Sequence, residues 1–122
     1  MPVRGIRGAT TAPENSPEAI LSAARELLEA LVEGNPNLVP ADIASVIFTV
    51  TDDLNTAYPA KAARELGWTS TPLLCAREIP VPESLVRCIR VLIHWNTEEP
   101  QEAIHHIYLR GASNLRPDLK SS

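Results

Sequence analysis

Arg90 stands where an apolar residue would be expected. It interrupts Cys88-Ile89-Arg90-Val91-Leu92-Ile93-His94-Trp95, a run whose β-branched and aliphatic residues read as a strand. A guanidinium between Ile89 and Val91 needs a partner, because an unpaired charge held away from water is costly. Two readings follow: a structural ion pair with a carboxylate such as Glu78, or a fixed cation at the floor of a ligand pocket. Other polar residues occupy similar settings. Arg7 lies in Arg4-Gly5-Ile6-Arg7-Gly8, where glycines admit close approach by another backbone or a ligand. Glu78 ends a weaker strand over 73–78. Tyr108 shares strand parity with His106 and Arg110, opposite Ile107 and Leu109. Each alone fits a surface arginine, a capping glutamate or a half-buried tyrosine. Together, two arginines, a carboxylate and a phenol suit a small, polar, multiply anionic ligand. No serine, cysteine or lysine has an evident activating base, and no ligand spacing for a metal is present. His105 and His106 are adjacent, so on a strand they point to opposite faces. Chemistry at such a site would rest on positioning and charge stabilisation, with no cofactor and no metal.

These residues need a scaffold, and the pattern supplies one. Ser16 and Pro17 open a helix over 17–33, with Ile20, Leu21, Ala24, Leu27, Leu28, Leu31 and Val32 as its apolar stripe. Glu26, Glu29 and Glu33 fall on the wet side, and Gly34 is placed to end the helix. Residues 44–50 and 88–95 read as strong strands, and 73–78, 104–110 and 2–8 as weaker ones. Pro59 to Leu66 reads as a short helix closed by Gly67, and prolines fall between elements. The order β-α-β-α-β-β-β predicts an α/β (α+β) domain. It would be a mixed five-stranded sheet with one long and one short helix on one face. On strand 88–95, Ile89, Val91, Ile93 and Trp95 form an apolar face for the helix. Cys88, Arg90, Leu92 and His94 form the other face, which predicts contact with another subunit.

Composition narrows the classes further. The chain has 122 residues, enough for one domain (1–122) and one core. It is 44% hydrophobic and 21% charged with a net charge of −4, which argues for a globule and against nucleic-acid or anionic-membrane partners. No apolar run approaches the ~20 residues that span a bilayer, and Met1-Pro2-Val3-Arg4 lacks a signal-peptide character. A cytoplasmic protein is expected. Cys75 and Cys88 then read as reduced thiols, with a disulfide between them as the lesser alternative. Nine arginines against two lysines hint at a bound anion, although codon preference and surface pairs give the same count.

The motifs Arg4-Gly-Ile-Arg7-Gly-Ala-Thr-Thr11, Asp53-Leu54, Pro59-Ala-Lys61-Ala-Ala-Arg64-Glu-Leu66 with Gly67-Trp68, Pro72 to Glu78, Cys88-Ile-Arg90-Val91, Thr97 with Pro100-Gln101, His106-Ile-Tyr108-Leu109 and Leu115-Arg-Pro-Asp-Leu119 cover nearly the whole chain. They resemble the monofunctional, trimeric chorismate mutases of the α/β-barrel-like class. The resemblance implies isomerisation of chorismate to prephenate by a [3,3] Claisen rearrangement, on the route to phenylalanine and tyrosine. It implies a homotrimer forming a pseudo-α/β-barrel, with active sites at subunit interfaces. It gives Arg90 the ether oxygen and the side-chain carboxylate, and Arg7 that carboxylate with help from Tyr108. Glu78 takes the ring hydroxyl, and Cys75 lies beside the ring. Tyr58, Ala60, Lys61 and Arg64 belong to a segment at the subunit boundary, and the stretch Leu73, Leu74, Cys75, Ala76, Arg77 lines the pocket. Leu115 and Arg116 belong to a C-terminal tail, about 111–122, that covers the entrance. Three positions depart from the usual pattern. Tyr58 stands for a phenylalanine, Leu74 for a small polar residue and Arg77 for an uncharged one, and alternation points Arg77 away from Glu78. Two other trimeric classes, an imine deaminase and a small-anion sensor, fit these motifs less well.

Overall fold

Residues 1–115 are described by a computed structural model. The chain runs through β1 (Val3–Thr11), α1 (Pro17–Gly34), β2 (Ile43–Val50), α2 (Ala60–Glu65), β3 (Leu73–Arg77), β4 (Cys88–Asn96) and β5 (Ile107–Tyr108). The strands make one mixed sheet in the order β3-β2-β4-β1-β5. β4 runs antiparallel to both β2 and β1, while β3 and β5 pair in parallel with β2 and β1.

α1 begins as its sequence dictates. The Ser16 hydroxyl accepts from the Ala19 N–H at 3.2 Å, and Pro17 occupies the first turn, where its missing N–H costs nothing. Its end differs from expectation. Gly34 is the last helical residue and Asn35 forms the cap, donating its N–H back to the Leu31 and Val32 carbonyls. Gly34 is small for a packing reason: an added Cβ would lie 3.3 Å from the Ile107 side chain. α2 spans most of the expected segment, with Pro59 at its start, and Gly67 follows it in the left-handed region at φ 97°.

Both helices lie on one face, where Ile6, Leu27, Leu28, Leu31, Val46, Phe48, Ile89 and Ile93 are essentially inaccessible. Gly8 lets α1 sit this close, since a Cβ there would meet Leu31 at 3.0 Å and Leu27 at 3.2 Å. A register shift between Ile43 and Ser45 turns Ile43 toward the same core beside Trp95. Two strand boundaries move. The strand expected over 2–8 extends to Thr11, because β4 offers a ladder along its whole length. The strand expected over 104–110 contracts to Ile107–Tyr108. The chain before it forms a 3-10 turn at Gln101–Ala103, and Arg110 behind it, at φ 50°, turns the chain away. After β5 a further 3-10 turn, Arg110–Ala112, folds Ala112 into a small cluster with Ala9, Cys88 and Tyr108. Arg116 and the rest of the expected tail lie outside the described residues.

Candidate active site

Strand pairing determines which side chains meet on the face without helices. Arg90 sits on central β4 opposite Ala9 of β1 and Thr49 of β2, and Arg7 lies opposite Leu92 on the same face. Tyr108 is opposite Ala9 across the β1–β5 pair, so it too belongs here. Glu78 follows β3, extends its ladder by donating its N–H to the Val50 carbonyl at 2.9 Å, and turns back over the face. Its Oε2 lies 3.2 Å from Arg90 Nε. Both readings of Arg90 therefore hold in part: Glu78 is its counter-ion, yet the Nε–H makes no hydrogen bond among the described residues. Arg90 and Glu78 are each about one-quarter exposed, at 28% and 26% of their side-chain surfaces, so water is largely but not wholly excluded.

The other members of this group are held by backbone and by packing. The Arg7 N–H donates to His106 Nδ1 at 3.0 Å, fixing the strand on which the Arg7 guanidinium is carried. Tyr108 is buried in the cluster with Ala9, Cys88 and Ala112, and Leu85 and Leu115 pack against it. Cys88 lies beside Arg90; burial pushes its thiol up, and the Arg90 charge only partly offsets this.

A second group forms on the other side of the sheet. Cys75 pairs with Phe48, so it faces the helices, with the Ala60 backbone and Arg64 close by. Burial pushes its thiol up against the opposing pull of the Ala60 N–H and Arg64, so it stays protonated at neutral pH. Ala60 is buried, Lys61 near the start of α2 and Arg64 in its last turn are exposed, and Tyr58 is 73% exposed. A cleft of about 640 Å³ opens here, lined by Asp52, Tyr58, Pro59, Cys75, Ala76 and Arg77 among others. Arg77 is held at its rim by two hydrogen bonds to Asp52, and the Asp52 carboxylate raises the Arg77 pKa. Arg77 points away from Glu78, as alternation required. Leu73 packs toward the core, while Leu74 lies on the open face and is 61% exposed. Within one chain the two groups do not meet: this cleft is not lined by Arg90, which lies on the opposite, open face.

The two cysteines are free and lie on opposite faces, which removes the disulfide alternative. Among the described residues no cluster of His, Cys, Asp or Glu is arranged to hold a metal, and no helix is long and apolar enough to cross a membrane.

Two contributors have no role assigned from the sequence, although Asp53 stands in one of its motifs. Thr49 donates from its hydroxyl to Glu78 Oε2 at 2.7 Å. Asp53 accepts the Arg87 N–H on both oxygens at 3.0 Å and the Thr51 hydroxyl at 2.6 Å. Thr51 in turn accepts the Cys88 N–H at 2.9 Å, so this clip fixes where β4 begins and hence the register of Arg90. The strand pairing of Thr49 with Arg90 was the only available signal, and it appears only once the sheet order is known.

The comparisons with known proteins agree with one another. The family model described as chorismate mutase type I matches residues 3–119. Chorismate mutase AroH of Thermus thermophilus is 57% identical over 120 residues, covering 98% of this chain and 98% of that protein. Chorismate mutase AroH of Bacillus subtilis is 43% identical over 120 residues, covering 98% and 94%. A solved chorismate mutase from Clostridium thermocellum superposes with a TM-score of 0.86 at 51% identity, covering 88% of this chain and 96% of its own.

Proposed function

The chain belongs to the type I chorismate mutase family, and from that premise we propose that it isomerises chorismate to prephenate at sites completed between the subunits of a homotrimer. In the rearrangement the ether C–O bond breaks as a C–C bond forms through a chair-like transition state. Negative charge grows on the ether oxygen. No proton need move and no covalent intermediate is required. What the protein must supply is a folded substrate arm and a cation already in place for that oxygen.

Arg90 supplies the cation, donating to the ether oxygen and the side-chain carboxylate. Arg7 and Tyr108 bind that carboxylate, and Glu78 accepts from the ring hydroxyl. Tyr58, Ala60, Lys61, Arg64, Leu73, Leu74, Cys75, Ala76 and Arg77 of a neighbouring subunit form the opposite wall, with Leu115 and Arg116 at the entrance. Cys75, as a neutral thiol, serves as wall and weak donor, not as nucleophile. The whole chain acts as one mutase domain, in the cytoplasm, on the route to phenylalanine and tyrosine.

One observation carries the reading. Arg90 is fixed on the central strand of the sheet, only 28% exposed, with an Nε–H that no hydrogen bond among the described residues uses. Such a donor needs no reorganisation when charge develops. The loss of chorismate absorbance in the presence of pure protein tests the activity directly. Arg90→Lys keeps the charge but loses the planar fork, so its kcat falls by about 10²-fold or more. Wild-type protein that leaves chorismate decay at its uncatalysed rate defeats the proposal, and near-normal kcat in Arg90→Lys defeats the role given to Arg90.

A further inference from the structure

We propose that Thr49 is a positioning residue for Glu78, holding one carboxylate oxygen so that the other meets substrate and Arg90 keeps its Nε–H for the reaction. The inference rests on the mutase reading above, in which Glu78 accepts from the ring hydroxyl. Three observations meet at Glu78 Oε2. It accepts the Thr49 hydroxyl at 2.7 Å. It lies 3.2 Å from Arg90 Nε, close enough for a full hydrogen bond. That bond is nevertheless not formed. A charge-assisted hydrogen bond is among the stronger ones, so its absence at this distance needs a geometric cause. The Thr49 hydroxyl supplies one by setting the angle of the carboxylate, not by filling its oxygen. It stands on β2 directly opposite Arg90, it takes the oxygen nearest the guanidinium, and its β-branched side chain is stiff at χ1. Among the described residues Oε1 accepts no hydrogen bond, which leaves it available to a ligand hydroxyl. Without Thr49 the carboxylate is free to turn onto Arg90 and withdraw both groups from the substrate.

The test compares Thr49→Val, Thr49→Ala and Thr49→Ser, each also in a Glu78→Ala background. A hydrogen bond to a charged acceptor in a half-wet site sets the scale, so Thr49→Val and Thr49→Ala each lower kcat/KM by about tenfold. The loss is carried by KM, because the bond to the ring hydroxyl exists in the ground state as well as the transition state. Thr49→Ser restores most of the activity. In Glu78→Ala protein, Thr49→Val costs nothing further, since the residue it positions is gone. A crystal structure of ligand-free Thr49→Val shows the Glu78 carboxylate hydrogen-bonded to Arg90 Nε. Wild-type kinetics in Thr49→Val, an equal loss in both backgrounds, or an unmoved Glu78 overturns the proposal. Failure of the wild type to convert chorismate overturns the mutase reading instead, and the crystal comparison still decides whether Thr49 positions Glu78.

Discussion

At the residue scale the group is built on an ion pair that leaves one donor unused. Arg90 and Glu78 are paired at 3.2 Å, the Thr49 hydroxyl donates to the same Glu78 oxygen, and the Arg90 Nε–H makes no hydrogen bond among the described residues. Asp53 contributes by a different route. Partial burial pushes its carboxyl up, but the hydrogen bonds from Thr51 and the Arg87 backbone, with its own N–H, outweigh this and hold it below 3.8. A carboxyl that binds its proton less readily when folded stabilises the fold above its unfolded pKa. That contribution is lost as pH falls through the folded value. Asp53→Asn therefore lowers the urea midpoint near pH 6, and the difference from wild type closes in acid, as the pH falls below the usual carboxylate range. A difference that persists unchanged in acid would show that the clip at Arg87 does not depend on the carboxylate.

At the element scale the termini of α1 and the glycines of β1 control how helix and sheet meet. Asn35 joins α1 to the segment before β5: its side-chain N–H groups donate to the Leu31 and His105 carbonyls, each at 2.9 Å, and its oxygen accepts the His105 N–H at 3.0 Å. It is only 4% exposed, so removing the amide strands those groups. Asn35→Ala is expected to lower stability by about 2–3 kcal/mol in chemical denaturation. A cost below about 0.5 kcal/mol would mean that water replaces the amide there. This junction also shows where the sequence is readable and where it is not. The 3–4 spacing in α1 and the continuous apolar runs in β2 and β4 are local patterns, and each element formed where they predicted. Arg90 was legible because it breaks such a pattern. Asn35 was not, because Gly34 beside it carries the commoner stop signal and the deciding bonds reach 70 residues away. Thr49 was hidden for a related reason: a threonine in a strand is ordinary until the sheet order places it opposite Arg90. The placement of Cys75 on the helix face, away from Arg90, likewise follows only from the β2–β3 register.

At the scale of the whole molecule, one chain carries two separate walls. The cationic wall of Arg90, Arg7, Glu78 and Tyr108 lies on the open face of the sheet, and the cleft wall of Tyr58, Cys75 and Arg77 lies along β3 and the turn before α2, with Arg64 of α2 near Cys75. The exposed Leu74 and partly exposed Ile47 and Leu92 leave apolar surface on the open face that a neighbouring subunit would cover. The most direct measurement of this arrangement mixes two impaired variants, Arg90→Ala and Arg64→Ala, by joint refolding, with sedimentation to establish the trimer and chorismate turnover as the readout. Each variant alone lacks one wall at every site. If sites form between subunits, random assortment in an equal mixture restores both walls at roughly a quarter of them, and activity rises toward that fraction of wild type. A mixture no more active than its two components, while wild type treated in the same way recovers fully, would contradict a site shared between subunits.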